Sequence, residues 1–269
     1  GAHAEAEALR NCAANWRDAR GGTAWVTLEP CAHFGKTPPC SDALIAAGVR
    51  RVVIARRDTH EVSAGGVERM RAAGIEVAVV DSSAAAVAVS DAFVCKIERG
   101  RPFVTLKWAQ TVDGRIATRT GDSKWISCER SRRRVHRMRG ASDVILTGIG
   151  TVLADDPLLT ARGVPVRRVA KRVVIDSMLR LPIDSALVRS VDQGPVWVVS
   201  TNEMAESREA DALEERGVEM LFVPAKDGRV DLREAVEFFG SLSQLEDMSA
   251  TDDASNILVE AGPGLTGAL

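Results

Sequence analysis

At 269 residues the chain exceeds what one hydrophobic core usually supports, so two domains are expected. Its 45% hydrophobic and 27% charged residues exclude a disordered chain, a collagen-like repeat and a small disulfide scaffold. Thirty-five Lys and Arg against 37 Asp and Glu leave a net charge of −2, so there is no electrostatic footprint for nucleic acid. No run of about 18 apolar residues exists to span a bilayer. Five cysteines, an odd number, without a secretory signal point to a reducing cytoplasm with free or metal-bound thiols. Tyrosine is absent, which leaves acid–base work to His, Glu, Asp, Lys or Cys. The chain opens on Gly1 and stops at Leu269 within an apparent helix start, so it reads as a fragment.

Strand and helix patterns alternate along the chain. Residues 4–19 have helical spacing, 23–28 (TAWVTL) read as a strand, and SDALIAAG is a short helix closing on Gly48. RVVIAR, a helix around GGVERMRAAG and the strand IEVAVV follow, then an alanine-rich helix from Ser82 to about Glu98. ERGRPFV (98–104) restarts the strand pattern, which puts a domain boundary near residue 100. Beyond it come strands FVTLKWA, DVILTG, RVVID, VWVVST, EMLFV and NILVEA, with helices at about 128–139, 206–216 and 231–239. Residues 241–255 are polar and acidic without periodicity, and read as a surface excursion. Such alternation predicts α/β layers with largely parallel sheets.

The first chemical constellation is HAE (3–5) with EPCAHFGKTPPC (29–40). His3, Cys31 and Cys40 supply one imidazole and two thiolates, leaving a tetrahedral metal one open position for water. Glu5 is a spare carboxylate suited to carrying protons. Positions i and i+2 of a regular helix do not share a face, so the pair works only if His3 precedes a helix that Ala4 begins. Thr37-Pro38-Pro39 reads as a cap and first turn that puts Cys40 at a helix start. Two other readings stand beside this one: core cysteines with a surface histidine, and a structural zinc completed by His33.

His-x-Glu followed by Pro-Cys and a later Cys resembles the zinc-deaminase signature, in which the Glu is not a ligand. The eight-residue spacing between Cys31 and Cys40, containing HFGKTPP, resembles the riboflavin-biosynthesis deaminase family, whose members are commonly fused to a reductase. LKWAQTVDGRIA, GDSKWIS, GIGTVLADDPLLTAR, VVIDSMLRLP and LVEAGPGL resemble that reductase segment by segment. The resemblance implies a cytidine-deaminase-like α/β/α domain over 1–100 and a dihydrofolate-reductase-like α/β domain over 101–269, both shortened at their outer ends. It implies zinc on His3, Cys31 and Cys40, with Glu5 catalytic. It also implies NADPH near Ala109, Trp125, Thr151, Asp155, Ser177, Gly262, Pro263 and Gly264. Substrate contacts carried over are Lys36, Ser123, Arg139, Leu159, Arg162 and Glu260. The implied setting is a cytoplasmic homo-oligomer acting on a small pyrimidine ribose-phosphate, without nucleic-acid or membrane partners.

The residues also carry meaning of their own. LVEAGPGLTG is a buried strand running into a glycine turn, which presents backbone N–H groups to phosphate. It matches the dinucleotide fingerprint literally, but no ribose acid follows. Arg139 and Arg162 suit a ribose 5′-phosphate, since guanidinium forks match phosphate oxygens. Glu260 suits ribityl hydroxyls or a ring N–H. Arg180 is expected to pair with the 2′-phosphate of NADPH. The charge run 130–139 reads as a solvated helix face, and His60 and His136 have no partner visible in sequence.

Overall fold

The computed structural model describes every residue except 1, 2, 16, 36, 81, 82, 167, 246, 247, 250, 251 and 269. The chain forms two compact units, Gly1–Gly100 and Arg101–Leu269. Among the described residues no helix is long and apolar enough to cross a membrane.

The first unit is built on a parallel sheet of β1 (Thr23–Val26), β2 (Arg51–Ile54) and β3 (Glu76–Val79), in that order. Its central strand pairs Val53 with Trp25 on one side and with Ala78 on the other. Helices α1 (Ala4–Ala14), α2 (Cys40–Ala46) and α3 (Gly66–Ala72) alternate with these strands. Leu44, Val52, Ile54, Val67, Met70 and Ile75 make its core. Helix α1 is shorter than the spacing over 4–19 predicts. Asn15 ends it by donating its side-chain amide to the Asn11 carbonyl at 2.7 Å, and the Arg17 N–H then closes back on Cys12. The predicted alanine-rich helix is two, α4 (Ala84–Ala88) and α5 (Asp91–Arg99). Both the amide and the hydroxyl of Ser90 bond to the Val87 carbonyl, which tightens the turn and breaks the α-ladder.

The second unit holds a six-stranded, all-parallel sheet ordered β4-β11-β5-β6-β7-β8. The strands are β4 (Phe103–Lys107), β5 (Val144–Gly148), β6 (Lys171–Ile175), β7 (Val196–Thr201), β8 (Glu219–Val223) and β11 (Asn256–Glu260). Alternate residues go to opposite faces. Val144, Leu146, Val173 and Val199 join one core with α9 (Leu232–Gly240), whose Phe239 meets Trp197 edge-on at 5.5 Å. Ile145, Val174 and Val198 join another with α7 (Ile149–Asp155) and α8 (Arg208–Glu214). Helix α6 (Glu129–Arg139) connects β4 to β5.

Two features depart from expectation. A hairpin of β9 (Ala225–Lys226) and β10 (Arg229–Val230) turns on Asp227 and Gly228, both at positive φ, as an Asp-Gly two-residue loop demands. The segment 241–255 is not wholly a surface excursion. Leu242 and Ala254 are fully buried in the α9 core, Ala254 N–H bonds Phe239 O, and Asp253 accepts from the Ser243 amide.

The strand order fixes where a ligand can sit. From β5 the chain steps outward through β6, β7 and β8, then returns to insert β11 on the other side of β5. The carboxyl ends of β5 and β11 therefore flank a topological switch point, the place where open α/β sheets bind ligands.

Candidate functional site

In the first unit, His3 stands in extended conformation immediately before α1, which begins at Ala4. Its ring is therefore free of the helix while Glu5 lies in the first turn. Cys31 follows the carboxyl end of β1, and Cys40 is the first residue of α2. The three ligand atoms converge: His3 Nδ1 lies 3.6 Å from Cys31 Sγ and 3.3 Å from Cys40 Sγ. A tetrahedral zinc with ordinary Zn–N and Zn–S bonds sets that separation at about 3.5 Å, so the donor set fits the ion. The Cys40 amide donates to Cys31 Sγ at 3.3 Å, a bond that favours thiolate. Without a cation the site is electrostatically unfavourable for two thiolates. Burial first, then the Glu5 carboxylate and Cys31, push the Cys40 thiol upward. Among the described residues the metal-capable cluster is these three, and His33 is not part of it.

Sequence reasoning gave Glu29 no role. Its buried carboxylate accepts the Val67 amide at 2.9 Å and the Asp58 amide at 3.2 Å, tying the loop before Cys31 to α3 and to the loop after β2. Gly66 completes the joint, since a Cβ there would stand 1.8 Å from the Pro30 carbonyl oxygen. The one available signal was an acid next to Pro-Cys at a strand end. Ser41 closes the other side, its hydroxyl and amide both donating to Cys31 O. Lys36 lies outside the described residues.

In the second unit the two glycine turns meet at the switch point. Gly262 approaches Thr151, whose hydroxyl would stand 3.6 Å from an added Cβ, and Gly148 approaches Leu265 in the same way at 3.7 Å. Added Cβ atoms at Gly150 and Gly264 would meet nothing within 4 Å. This leaves bare backbone facing open space, which fits a dinucleotide phosphate chain. Pro263 begins the short helix α10 (Pro263–Thr266). Asp155, at the end of α7, pairs with Lys124 at 3.5 Å, which brings the Ser123–Trp125 segment to that helix. Trp125 is largely exposed and carries the Arg132 guanidinium 4.3 Å over its ring. Ala109 follows the carboxyl end of β4 and is half-buried. Ser177 follows β6, and its hydroxyl accepts the Val230 amide at 3.0 Å, tying it to the hairpin.

Three of the expected contact residues have partners within the fold. Arg139 does not present a free fork to phosphate: its Nε and Nη2 reach Glu260 Oε1 and Oε2 at 2.5 and 3.0 Å. Leu159 is buried in the core against α7, and its backbone sits at φ 54°. Arg180 lies 3.5 Å from the buried Asp176 carboxylate, which competes with a 2′-phosphate for its charge. Glu260 itself is buried at the end of β11. Lys107 approaches it at 3.7 Å from the facing end of β4, a neighbour that sequence reasoning did not name because the pairing of β4 with β11 is not local. Arg162 is exposed, with Nη1 on Thr160 Oγ1 at 3.0 Å.

Residues 102–269 match the model of the RibD C-terminal domain, and residues 1–56 match that of the cytidine and deoxycytidylate deaminase zinc-binding region. The riboflavin biosynthesis protein RibD of Aquifex aeolicus is 40% identical over 97% of this chain and 68% of its own length. That of Escherichia coli is 38% identical over 99% and 71%. A crystal structure of the Thermotoga maritima diaminohydroxyphosphoribosylaminopyrimidine deaminase/5-amino-6-(5-phosphoribosylamino)uracil reductase superposes with a TM-score of 0.76. It is 35% identical, over 97% of this chain and 68% of that one. The chain thus spans about two thirds of the relatives it resembles. With a zinc-type donor set in one unit and paired glycine turns at the switch point of the other, it belongs to the RibD family, the zinc- and NADPH-dependent deaminase–reductases of riboflavin biosynthesis.

Proposed function

We propose that residues 1–100 deaminate, and residues 101–269 then reduce, a pyrimidine carrying a ribose 5′-phosphate. The substrate is 2,5-diamino-6-ribosylamino-4(3H)-pyrimidinone 5′-phosphate. The observation that carries the reading is the convergence of His3 Nδ1 with the sulfurs of Cys31 and Cys40 beside Glu5.

His3, Cys31 and Cys40 would hold the zinc, which supplies Lewis acidity that makes water nucleophilic near neutral pH. Glu5 takes the first proton that water loses and passes it to a ring nitrogen, then carries the remaining hydroxyl proton to the amine, which leaves as ammonia. Water and the amine thus become carbonyl and ammonia, with Glu5 unchanged. The Cys40 amide and the loop pinned by Glu29 and Ser41 keep the two sulfurs in place. Lys36 is assigned to the substrate phosphate.

In the second unit the turns at Gly148–Thr151 and Gly262–Gly264 would hold the cofactor, with Ala109, Trp125, Asp155 and Ser177 around it. When bound, NADPH would supply a hydride for C1′ of the ribose, and a solvent proton would complete the hydroxyl freed at the ring oxygen. Glu260, oriented by Arg139 and Lys107, accepts a ring N–H or ribityl hydroxyls. Ser123 and the backbone at Leu159 line the substrate, and Arg162 meets its phosphate. The reading includes a cytoplasmic setting, no nucleic-acid or membrane partner, and assembly as a homo-oligomer. The five cysteines free of disulfides support the first of these, and the near-neutral charge supports the lack of a nucleic-acid partner. Metal analysis and separate assays of the two steps test the whole. One zinc per chain should vanish with deamination in Cys31→Ala, while NADPH oxidation by deaminated substrate persists. Zinc retention in Cys31→Ala would overturn the site.

A further inference from the structure

His136 stands three residues before Arg139, on the same face of α6. The reading above gives this half-buried imidazole no task. Its Nδ1 lies 3.2 Å from the backbone nitrogen of Arg162 and 3.3 Å from the carbonyl oxygen of Thr160. One ring nitrogen cannot serve both, since the Arg162 amide needs a bare lone pair and the Thr160 carbonyl needs a proton. The Thr160 carbonyl already accepts Arg139 Nη1 at 3.1 Å. The Arg162 amide and the Thr160 carbonyl are therefore both satisfied when His136 is neutral and its Nδ1 accepts from Arg162.

The segment so held is one that needs holding. Asp156 and Leu159 both adopt left-handed backbone conformations, at φ 40° and 54°, which persist only when the surroundings impose them. From one side the fully buried Arg172 donates to the Leu158 carbonyl at 3.3 Å while Leu159 is packed in the core. From the other, α6 contributes Arg139 and His136.

We propose that neutral His136 is the positioning residue that holds Thr160–Arg162 on its substrate-facing course, and that protonation of His136 releases the Arg162 end of that segment. The inference rests on the assignment of Arg162 to the substrate phosphate. The charged groups that face the imidazole are Arg139 on its own helix, Arg162 on the opposing segment and Glu260 on β11. Burial first, then the two guanidiniums, hold it below the ordinary histidine value, with the Thr160 carbonyl and Glu260 opposing them. Protonation turns Nδ1 into a donor against the Arg162 amide and adds a third cation beside two arginines. The remaining partner is then the Thr160 carbonyl, so the ring exchanges one end of the segment for the other.

The test is reductase kinetics of the intact protein with deaminated substrate, from neutral to acid pH, comparing wild type with His136→Asn, His136→Leu and Arg162→Ala. Asn offers an oxygen where the Nδ1 lone pair stands but does not titrate. The proposal expects wild-type KM to rise on acidification beyond the substrate phosphate's own titration, which all variants share. His136→Asn should keep the neutral-pH KM and lose that extra rise. His136→Leu should show a KM raised about five-fold at neutral pH, from the lost hydrogen bond, with kcat and NADPH affinity nearly unchanged. An unaltered acid limb in His136→Asn overturns the proposal, whether or not the Leu variant folds. Arg162→Ala separates the two claims. Raised KM there with a normal KM in His136→Leu defeats the positioning role alone, and unchanged KM in Arg162→Ala defeats the phosphate assignment and this inference together.

Discussion

Arg139 grips Glu260 with a two-pronged ion pair, Nε to Oε1 at 2.5 Å and Nη2 to Oε2 at 3.0 Å, and both side chains are almost wholly buried. The pair joins the end of α6 to the end of β11, so the acid at the switch point is aimed by a residue 121 positions away. A fork of this geometry fixes orientation as well as charge.

Removing Arg139 takes the two-pronged partner from Glu260 and leaves it Lys107 at 3.7 Å. Arg139→Met should therefore cost about 3 kcal/mol of stability in the second unit, the low end for a broken buried pair, measured by denaturant unfolding. Pairing it with Glu260→Gln should recover much of that loss, because no buried charge is then left alone. Additive losses in the double variant would show that the two groups are independent.

Glu29 predicts a link between a carboxylate and metal retention that neither residue type nor distance to the cluster suggests. Gln has one carbonyl oxygen where Glu29 has two accepting oxygens. Glu29→Gln should therefore leave one of the Val67 and Asp58 amides unsatisfied, at about 1–3 kcal/mol. A lower melting temperature with faster zinc loss to a chelator is expected. An unchanged chelation rate would confine Glu29 to folding.

Gly66 and Gly264 should respond oppositely to alanine. At Gly66 the new methyl would collide with Pro30 O, so the first unit should lose about 3 kcal/mol or more. At Gly264 the methyl meets nothing, so folding should be normal while NADPH binds about ten-fold more weakly, an effect read by fluorescence titration. Wild-type affinity in Gly264→Ala would remove that turn from the cofactor site.

Asp176 gives a pH signature. Its carboxyl is fully buried, and burial raises its pKa against the pull of the amides and of Arg180. The folded state then binds more protons than the unfolded state above the ordinary aspartate value. Stability from this group is complete below that value and declines as pH rises through the folded pKa. Asp176→Asn should abolish that decline in unfolding experiments run across the acid range. A decline identical to wild type would assign the slope to other carboxylates.

The convergence of His3, Cys31 and Cys40 was legible in the sequence because they are of few chemical kinds and lie at the ends of short elements. The parallel layers were legible as well, since buried strands such as VWVVST read directly as apolar runs. What the sequence hid were partnerships across distance. Arg139 looked like a phosphate clamp because nothing near it in the chain shows Glu260. Glu29 and His136 looked idle because their partners are backbone amides, which carry no residue-type signal. The break at Ser90 and the hairpin at Asp227-Gly228 carried local signals that the longer alanine-rich and strand patterns obscured.

The central claim is that Glu5 moves protons at a site whose metal is held by His3, Cys31 and Cys40. Gln preserves the size of Glu and its reach but cannot accept and return a proton. The decisive measurement is deaminase turnover of zinc-loaded Glu5→Gln in the intact protein, with zinc content determined on the same sample. The account predicts full zinc occupancy, intact reduction of deaminated substrate, and deamination slowed by at least about 10²–10⁴-fold. Zinc-loaded Glu5→Gln that deaminates at a near-normal rate would contradict it.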